Sequence, residues 1–194
     1  MTISLKGSRT EKNLAAAFAG ECMARNRYTY FAKKAKKQGY EQIAALFLET
    51  AENELEHSKI FLKLMNSDGT PIPIRTTVPA VSIESTLENL RAAAEGEKEE
   101  YTVVYPHSAE VAEQEGFDEI AKAFRSIAEV EAEHEKRFNI LAQQVESETV
   151  FKRSRIVRWK CRNCGYVFEG TEAPKECPAC GHPQGFYEVK EVLE

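Results

Sequence analysis

Residues 50–62 read TAENELEHSKIFL, and residues 127–139 read IAEVEAEHEKRFN. Neither stretch holds Gly or Pro, and each sets a Glu-x-x-His pair inside an apolar stripe. Glu54 and His57 fall between Phe47, Ala51 and Phe61; Glu131 and His134 fall between Phe124, Ile127, Ala128 and Phe138. At a spacing of three, both side chains of a pair leave the same helix face. That face is the one that should be buried, and an ionised carboxylate buried without a partner costs several kcal/mol.

Working outward, the conflict recurs twice. Glu21 sits among Leu14, Phe18, Ala24 and Tyr28, and Glu97 follows Leu90, Ala93 and Ala94 and precedes Tyr101 and Val104. Four helices, each with a glutamate on its apolar side, predict carboxylates converging in one core, which a pair of divalent or trivalent cations would neutralise. One glutamate from each of two helices plus Glu-x-x-His from the other two is the general pattern of di-metal carboxylate bundles. The mixed oxygen and nitrogen donors suit iron or manganese. An acidic bundle with satisfied core histidines is the competing reading. The other two histidines, His107 and His182, lack the pattern. Glu100, three residues after Glu97, shares its face, but its place in the run EGEKEE also fits a solvated side chain. Tyr28 and Tyr105 lie about two turns from Glu21 and Glu97. They could donate hydrogen bonds to ligand carboxylates, and ordinary core tyrosines fit as well.

The helices are expected from Ser8 or Thr10 to Gly39, from Tyr40 to Met65, from Ser82–Ser85 to Gln114, and from Asp118 to Val145. Pro106 falls inside the third, where a proline kinks or breaks a helix; resumed spacing at Ser108, Val111 and Ala112 favours a kink. Between the second and third helices, SDGTPIPIRTTVPAV (67–81) is an extended connection long enough to cross the end of a bundle. The expected organisation is a four-helix bundle over 1–147, a linker over 148–156 with basic residues Lys152, Arg153 and Arg155, and a small metal-stapled β domain over 157–194.

That tail carries Cys161-x-x-Cys164 and Cys177-x-x-Cys180, leaving Cys22 apart as a small helix thiol. Paired C-x-x-C knuckles are a strong metal signal, and four thiolates suit zinc or a single iron. A zinc ribbon is the structural alternative. The aromatics Trp159, Tyr166, Phe168, Phe186 and Tyr187, expected to shield the site, favour iron, as does the sense of placing an electron carrier beside a di-metal centre.

Composition agrees with a mainly helical chain. Of 31 acidic residues only Asp68 and Asp118 are aspartates, and glutamate tolerates helix interiors better. A net charge of −5 argues against a nucleic-acid partner. No apolar run approaches the ~20 residues of a membrane span, and the N-terminus is polar from Lys6. The expected location is the cytoplasm, where a disulfide framework is not expected.

The segments AGECMARNRYTYFA, ENELEHSKIF, EGEKEEYTVVYP, EVEAEHEKRF, CRNCGY and CPACG together resemble the rubrerythrins over nearly the whole chain. The resemblance implies a ferritin-like four-helix bundle with a long crossover and a rubredoxin-like C-terminal domain. It implies that Glu54 and Glu131 bridge two irons, that Glu21 and Glu100 bind one, and that Glu97 and His134 bind the other. His57 would replace Glu100 on reduction. The implied activity is a peroxidase that reduces hydrogen peroxide to water in oxidative stress defence. Electrons would come from an NADH-linked reductase or a rubredoxin through a mononuclear iron held by Cys161, Cys164, Cys177 and Cys180. A homodimer would set one subunit's thiolate iron head-to-tail against the other's di-iron site. A short span between Cys164 and Cys177 should leave that iron more exposed than in free-standing rubredoxins. An iron-oxidising, ferritin-like activity is the alternative, as are an oxygenase and a zinc-ribbon docking module.

Overall fold

The computed structural model describes residues 4–65 and 68–190. The chain ends of the two expected domains, and residues 66–67 at the start of the crossover, lie outside the described residues. The order is α1 (Arg9–Lys37), α2 (Glu41–Met65), α3 (Thr86–Glu99), a π-helical turn (Glu100–Val104), α4 (Tyr105–Gln114), α5 (Asp118–Glu146), β1 (Lys152–Cys161), β2 (Val167–Glu172), a 3-10 turn (Gln184–Phe186) and β3 (Tyr187–Val189). α1 packs along α2, while α3 and α4 pack along α5, so the chain between Met65 and Thr86 crosses from one hairpin to the other. The fold is a ferritin-like four-helix bundle carrying a small antiparallel sheet of strand order β2-β1-β3.

Local chemistry explains the helix ends. The Ser8 side chain accepts from the Glu11 N–H, and Ser85 and Glu88 form a reciprocal capping box. α1 stops where Gly39 takes φ 81° and the Tyr40 N–H reaches back to the Ala35 carbonyl at 3.0 Å. α5 stops the same way without a glycine: Glu148 takes φ 54°, and the Thr149 N–H donates to the Gln144 carbonyl at 2.8 Å.

Pro106 neither breaks the helix nor simply bends it. The preceding turn widens, so that the Tyr105 N–H donates to the Glu100 carbonyl five residues back. The wide turn absorbs one residue and shifts the phase by about 100°. Tyr105, eight residues from Glu97, would otherwise lie about 80° off its face; the extra residue brings it within about 20°. The irregularity therefore aims a tyrosine at the carboxylates.

Two apolar clusters fill the bundle. One holds Tyr28, Phe31, Phe47, Leu90 and Phe138; the other holds Leu14, Phe61, Tyr105, Ala109 and Phe124. The carboxylate layer lies between them. Leu62, next to the buried Phe61 on α2, is exposed.

The expected linker is not a loose segment. β1 already begins at Lys152, Val150 is buried in the bundle core, and Phe151 touches both the bundle and the tail core. Phe151 stacks on Tyr40 with ring centroids 6.1 Å apart. Arg153, one of the basic residues of that segment, donates to the carbonyls of Thr149 and Lys152 just beyond the C-terminus of α5. Its guanidinium also lies 5.5 Å from the Trp159 ring centroid. Gly185 sits so close to Gly39 that a Cβ there would fall 2.3 Å from the Gly39 carbonyl oxygen. The tail thus rests on the α1–α2 turn of its own bundle.

Candidate metal centres

Glu21, Glu54, Glu97 and Glu131 are each no more than 1 % exposed, on α1, α2, α3 and α5 respectively. His57 and His134 are buried with them, and their rings lie 6.1 Å apart. The donors fall into two halves. His57 Nδ1 lies 2.9 Å from Glu54 Oε2, 2.9 Å from Glu131 Oε1 and 3.8 Å from Glu21 Oε1. His134 Nδ1 lies 3.2 Å from Glu54 Oε1, 2.7 Å from Glu131 Oε2 and 3.8 Å from Glu97 Oε2. Glu54 and Glu131 each turn one oxygen to either half, as a carboxylate spanning two ions must.

The donor atoms fit metals. Both oxygens of Glu54 and of Glu131, Glu21 Oε2, Glu97 Oε2, His57 Nδ1 and His134 Nδ1 are buried without a hydrogen-bond partner. Their close spacings lack hydrogen-bond geometry. An octahedral ion with bonds near 2.1 Å has ligand edges of about 3 Å, which the contacts of Glu54 and Glu131 match, while those of Glu21 and Glu97 are longer at 3.8 Å. The buried charge requires such a remedy. Burial and neighbouring carboxylates push the Glu21 and Glu100 carboxyls well above the usual range and Glu97 up to about 8. Burial opposes the charged form of Glu131 too, but His134 and His57 hold it below the ordinary value. The same carboxylates overcome burial to raise His57 to about 9 and His134 to about 12. The metal-free core is thus a poor place for bare carboxylates and a good one for cations.

Glu100, a ligand by resemblance, belongs to neither cluster of convergent donors; His57 occupies the place beside Glu21. Glu100 is partly buried at the start of the wide turn and still acts on Glu21 through its charge. The two tyrosines cross over. Tyr28, on the helix of Glu21, donates to Glu97 Oε1, and Tyr105, on the strand of helix that follows Glu97, donates to Glu21 Oε1. Two neighbours escaped notice in the sequence. Arg27 lies 5.7 Å from the Tyr28 ring centroid and eases the charge of Glu100. Asn53 Oδ1 lies 3.3 Å from His134 Nε2. Neither has a spacing signal, since both reach the site from the edge of their helix stripe.

In the tail, Cys161 and Cys180 Sγ lie 3.8 Å apart and Cys164 and Cys177 Sγ 3.7 Å. These are too long for disulfides and match the edge, about 3.8 Å, of a tetrahedron with 2.3 Å metal–sulfur bonds. Both knuckles use one backbone design. Gly165 N–H donates to the Cys161 carbonyl and Gly181 N–H to the Cys177 carbonyl, each at 2.8 Å. Gly165 at φ 78° and Gly181 at φ 70° turn the next N–H groups, of Tyr166 and His182, onto Cys164 and Cys180. That N–H bond heads the causes that lower the Cys180 thiol to about 6. Trp159 and Tyr187 are fully buried against the cluster, but Tyr166 and Phe168, expected to shield it, are exposed. Cys164 is exposed too, as the short loop predicts.

Comparison with known proteins agrees at both ends of the chain. The family profile described as Rubrerythrin matches residues 12–142, and that described as Rubrerythrin, rubredoxin-like domain, matches residues 159–188. The chain is 57% identical over 188 residues to a rubrerythrin of Porphyromonas gingivalis, covering 97% of this chain and 93% of that one. It is 52% identical over 188 residues to a rubrerythrin of Clostridium perfringens, covering 96% of each. Among solved structures, mixed-valence nigerythrin superposes with a TM-score of 0.64 at 32% identity, covering 98% of this chain and 94% of that one. A bacterioferritin of Desulfovibrio desulfuricans shares the bundle alone, with a TM-score of 0.64 at 19% identity over 72% of this chain and 81% of its own. With a di-iron carboxylate layer in the bundle, a four-thiolate site in the tail and both matched in order along the chain, the protein belongs to the rubrerythrin family.

Proposed function

We propose that this chain is a non-haem peroxidase that reduces hydrogen peroxide to two waters. The observation that carries the reading is the pairing of a two-ion carboxylate layer with a separate four-thiolate site in one chain. A di-iron pair held in the layer would supply two electrons, which with two protons from solvent convert one peroxide into two waters. Glu54 and Glu131 would hold both ions, with Glu21 and His57 completing one end and Glu97 and His134 the other. Glu100 would take the place of His57 beside Glu21 in the other charge state of the centre. Tyr28 and Tyr105 steady the terminal carboxylates by hydrogen bonds. Cys161, Cys164, Cys177 and Cys180 would hold a single iron, which would supply an entry point for electrons from a reductase or a rubredoxin. An iron-oxidising role would leave that second site without a task.

The tail rests near Gly39, whereas Glu54 lies about 20 Å farther along α2. A head-to-tail homodimer, one subunit's thiolate iron facing its partner's layer, is therefore part of the proposal. Among the described residues no helix is long and apolar enough to cross a membrane.

The test is NADH-dependent peroxide removal by iron-loaded protein with an added reductase. Wild type should turn over, Glu131→Ala and Cys161→Ser should each be inactive, and subunit exchange between those two variants should restore activity. Iron-loaded wild type that consumes no peroxide yet oxidises added ferrous iron with oxygen would replace this reading with the iron-oxidising one. Proven heterodimers without recovery would place electron transfer within one chain.

A further inference from the structure

The two halves of the carboxylate layer are alike in their donors but not in what stands behind the histidines. Behind His134, the Nε2 faces Asn53 Oδ1 at 3.3 Å. His134 Nδ1 is turned to the oxygens of Glu131, Glu54 and Glu97. A nitrogen that gives its lone pair to a metal carries no proton, so the ring proton of a ligating His134 sits on Nε2 and donates to the Asn53 carbonyl. The carbonyl, not the amide nitrogen, faces the ring for the same reason. Behind His57 there is no counterpart: among the described residues no protein group hydrogen-bonds its Nε2. The helices that carry the Asn53–His134 contact are themselves tied one turn away, where Arg137 donates to Glu49 Oε1 at 2.6 Å and to Thr50 Oγ1 at 2.5 Å. Asn53 is thus fixed on α2 against His134 on α5, three residues from Arg137. His134 is buried, but it borders a surface cavity lined also by Glu133, Lys136 and Arg137.

We infer that Asn53 is a positioning residue that makes His134 the permanent imidazole ligand of the carboxylate layer, and that its absence behind His57 leaves His57 as the exchangeable one. The inference rests on the ligand assignment proposed above, and it explains which of two chemically equal histidines can trade places with Glu100. It needs no peroxidase activity to be true. Outer partners of ligating histidines are worth about 10–100-fold in metal affinity, and the anchor also protects the ring N–H from exchange with solvent.

The experiment uses the full chain, stripped of metal and titrated with Zn(II) or Co(II), with the ring N–H groups of the zinc-loaded protein followed by nitrogen-15 NMR. In wild type one site histidine, His134, should show a slowly exchanging Nε2–H and His57 a fast one. Asn53→Ala should keep its far-ultraviolet circular dichroism, lose the slow N–H and weaken one of the two ions by about 10–100-fold. Asn53→Asp, which keeps an oxygen acceptor in place, should bind both ions at least as tightly as wild type and retain the slow N–H. The inference is overturned if Asn53→Ala binds both ions like wild type, if Asn53→Asp is as weak as Asn53→Ala, or if the two ring protons exchange alike in wild type. Failure of the peroxidase proposal would appear as absent turnover with these binding results intact.

Discussion

The Tyr28 hydroxyl on α1 donates to Glu97 on α3, not to Glu21 on its own helix. Tyr105 returns the bond to Glu21. The pairing ties the two hairpins of the bundle across the carboxylate layer, each apolar cluster sending one hydroxyl to it. In a double-mutant cycle read by metal affinity, Tyr28→Phe should couple to Glu97→Gln by about 0.5–3 kcal/mol and to Glu21→Gln by much less. Equal coupling to both glutamates would contradict the crossed arrangement.

Glu100 stands apart from the four fully buried carboxylates. It lies outside both donor clusters while His57 fills the place beside Glu21. Glu100→Ala should therefore still take up two ferrous ions, with a reduced-state spectrum like that of wild type and an altered or slowly formed oxidised state. Glu131→Ala, which loses an oxygen from both halves, should fail to hold the pair. Iron counting and spectra in both states decide; equal loss of iron in the two variants would make Glu100 a permanent ligand.

Metal removal should make stability fall as pH rises. Glu21, Glu97 and Glu100 bind protons more tightly folded than unfolded, with Glu97 raised to about 8. His57 and His134 are raised as well. From about pH 5 to pH 8 the native apo protein thus holds more protons than the unfolded chain, and its stability drops with rising pH. The contribution of these raised groups is complete below their unfolded values and is lost through their folded ones. Glu131, held low, works the other way only as the pH falls below its ordinary value. Apo denaturation midpoints should decline across pH 5–8, and saturating Zn(II) or Fe(II) at neutral pH should raise them. A flat apo profile would show that the carboxylates are relieved by rearrangement instead.

The tail is seated by an approach only glycine permits. A Cβ at residue 185 would meet the Gly39 carbonyl carbon at 3.0 Å and its oxygen at 2.3 Å. Gly185→Ala should cost roughly 1–3 kcal/mol of overpacking at that contact without touching a cysteine. The four-thiolate spectrum should persist while proteolysis between Glu146 and Lys152 quickens. Unchanged protease resistance would mean that the contact does not hold the tail in place.

Much of this protein is determined by residue type and spacing along the chain. Gly39 and Gly116 mark helix ends because a left-handed residue stops an α-helix. The Glu-x-x-His pairs and the lone Glu21 and Glu97 stand out because charge on an apolar stripe is costly wherever the stripe is buried. The knuckles are legible because each is a local loop whose cysteines and glycine are nearly adjacent. Tertiary structure alone decided the rest. The direction of Tyr105 depends on a wide turn that relieves Pro106, a phase shift that helical periodicity does not contain. His57, not Glu100, stands in the donor cluster with Glu21, and two residues of suitable type on different helices cannot be ranked without the distance between them. Asn53 and Gly185 act across gaps between elements distant in sequence. Their contacts arise only when packing brings unlike helices and the sheet together, so no periodicity along the chain encodes them.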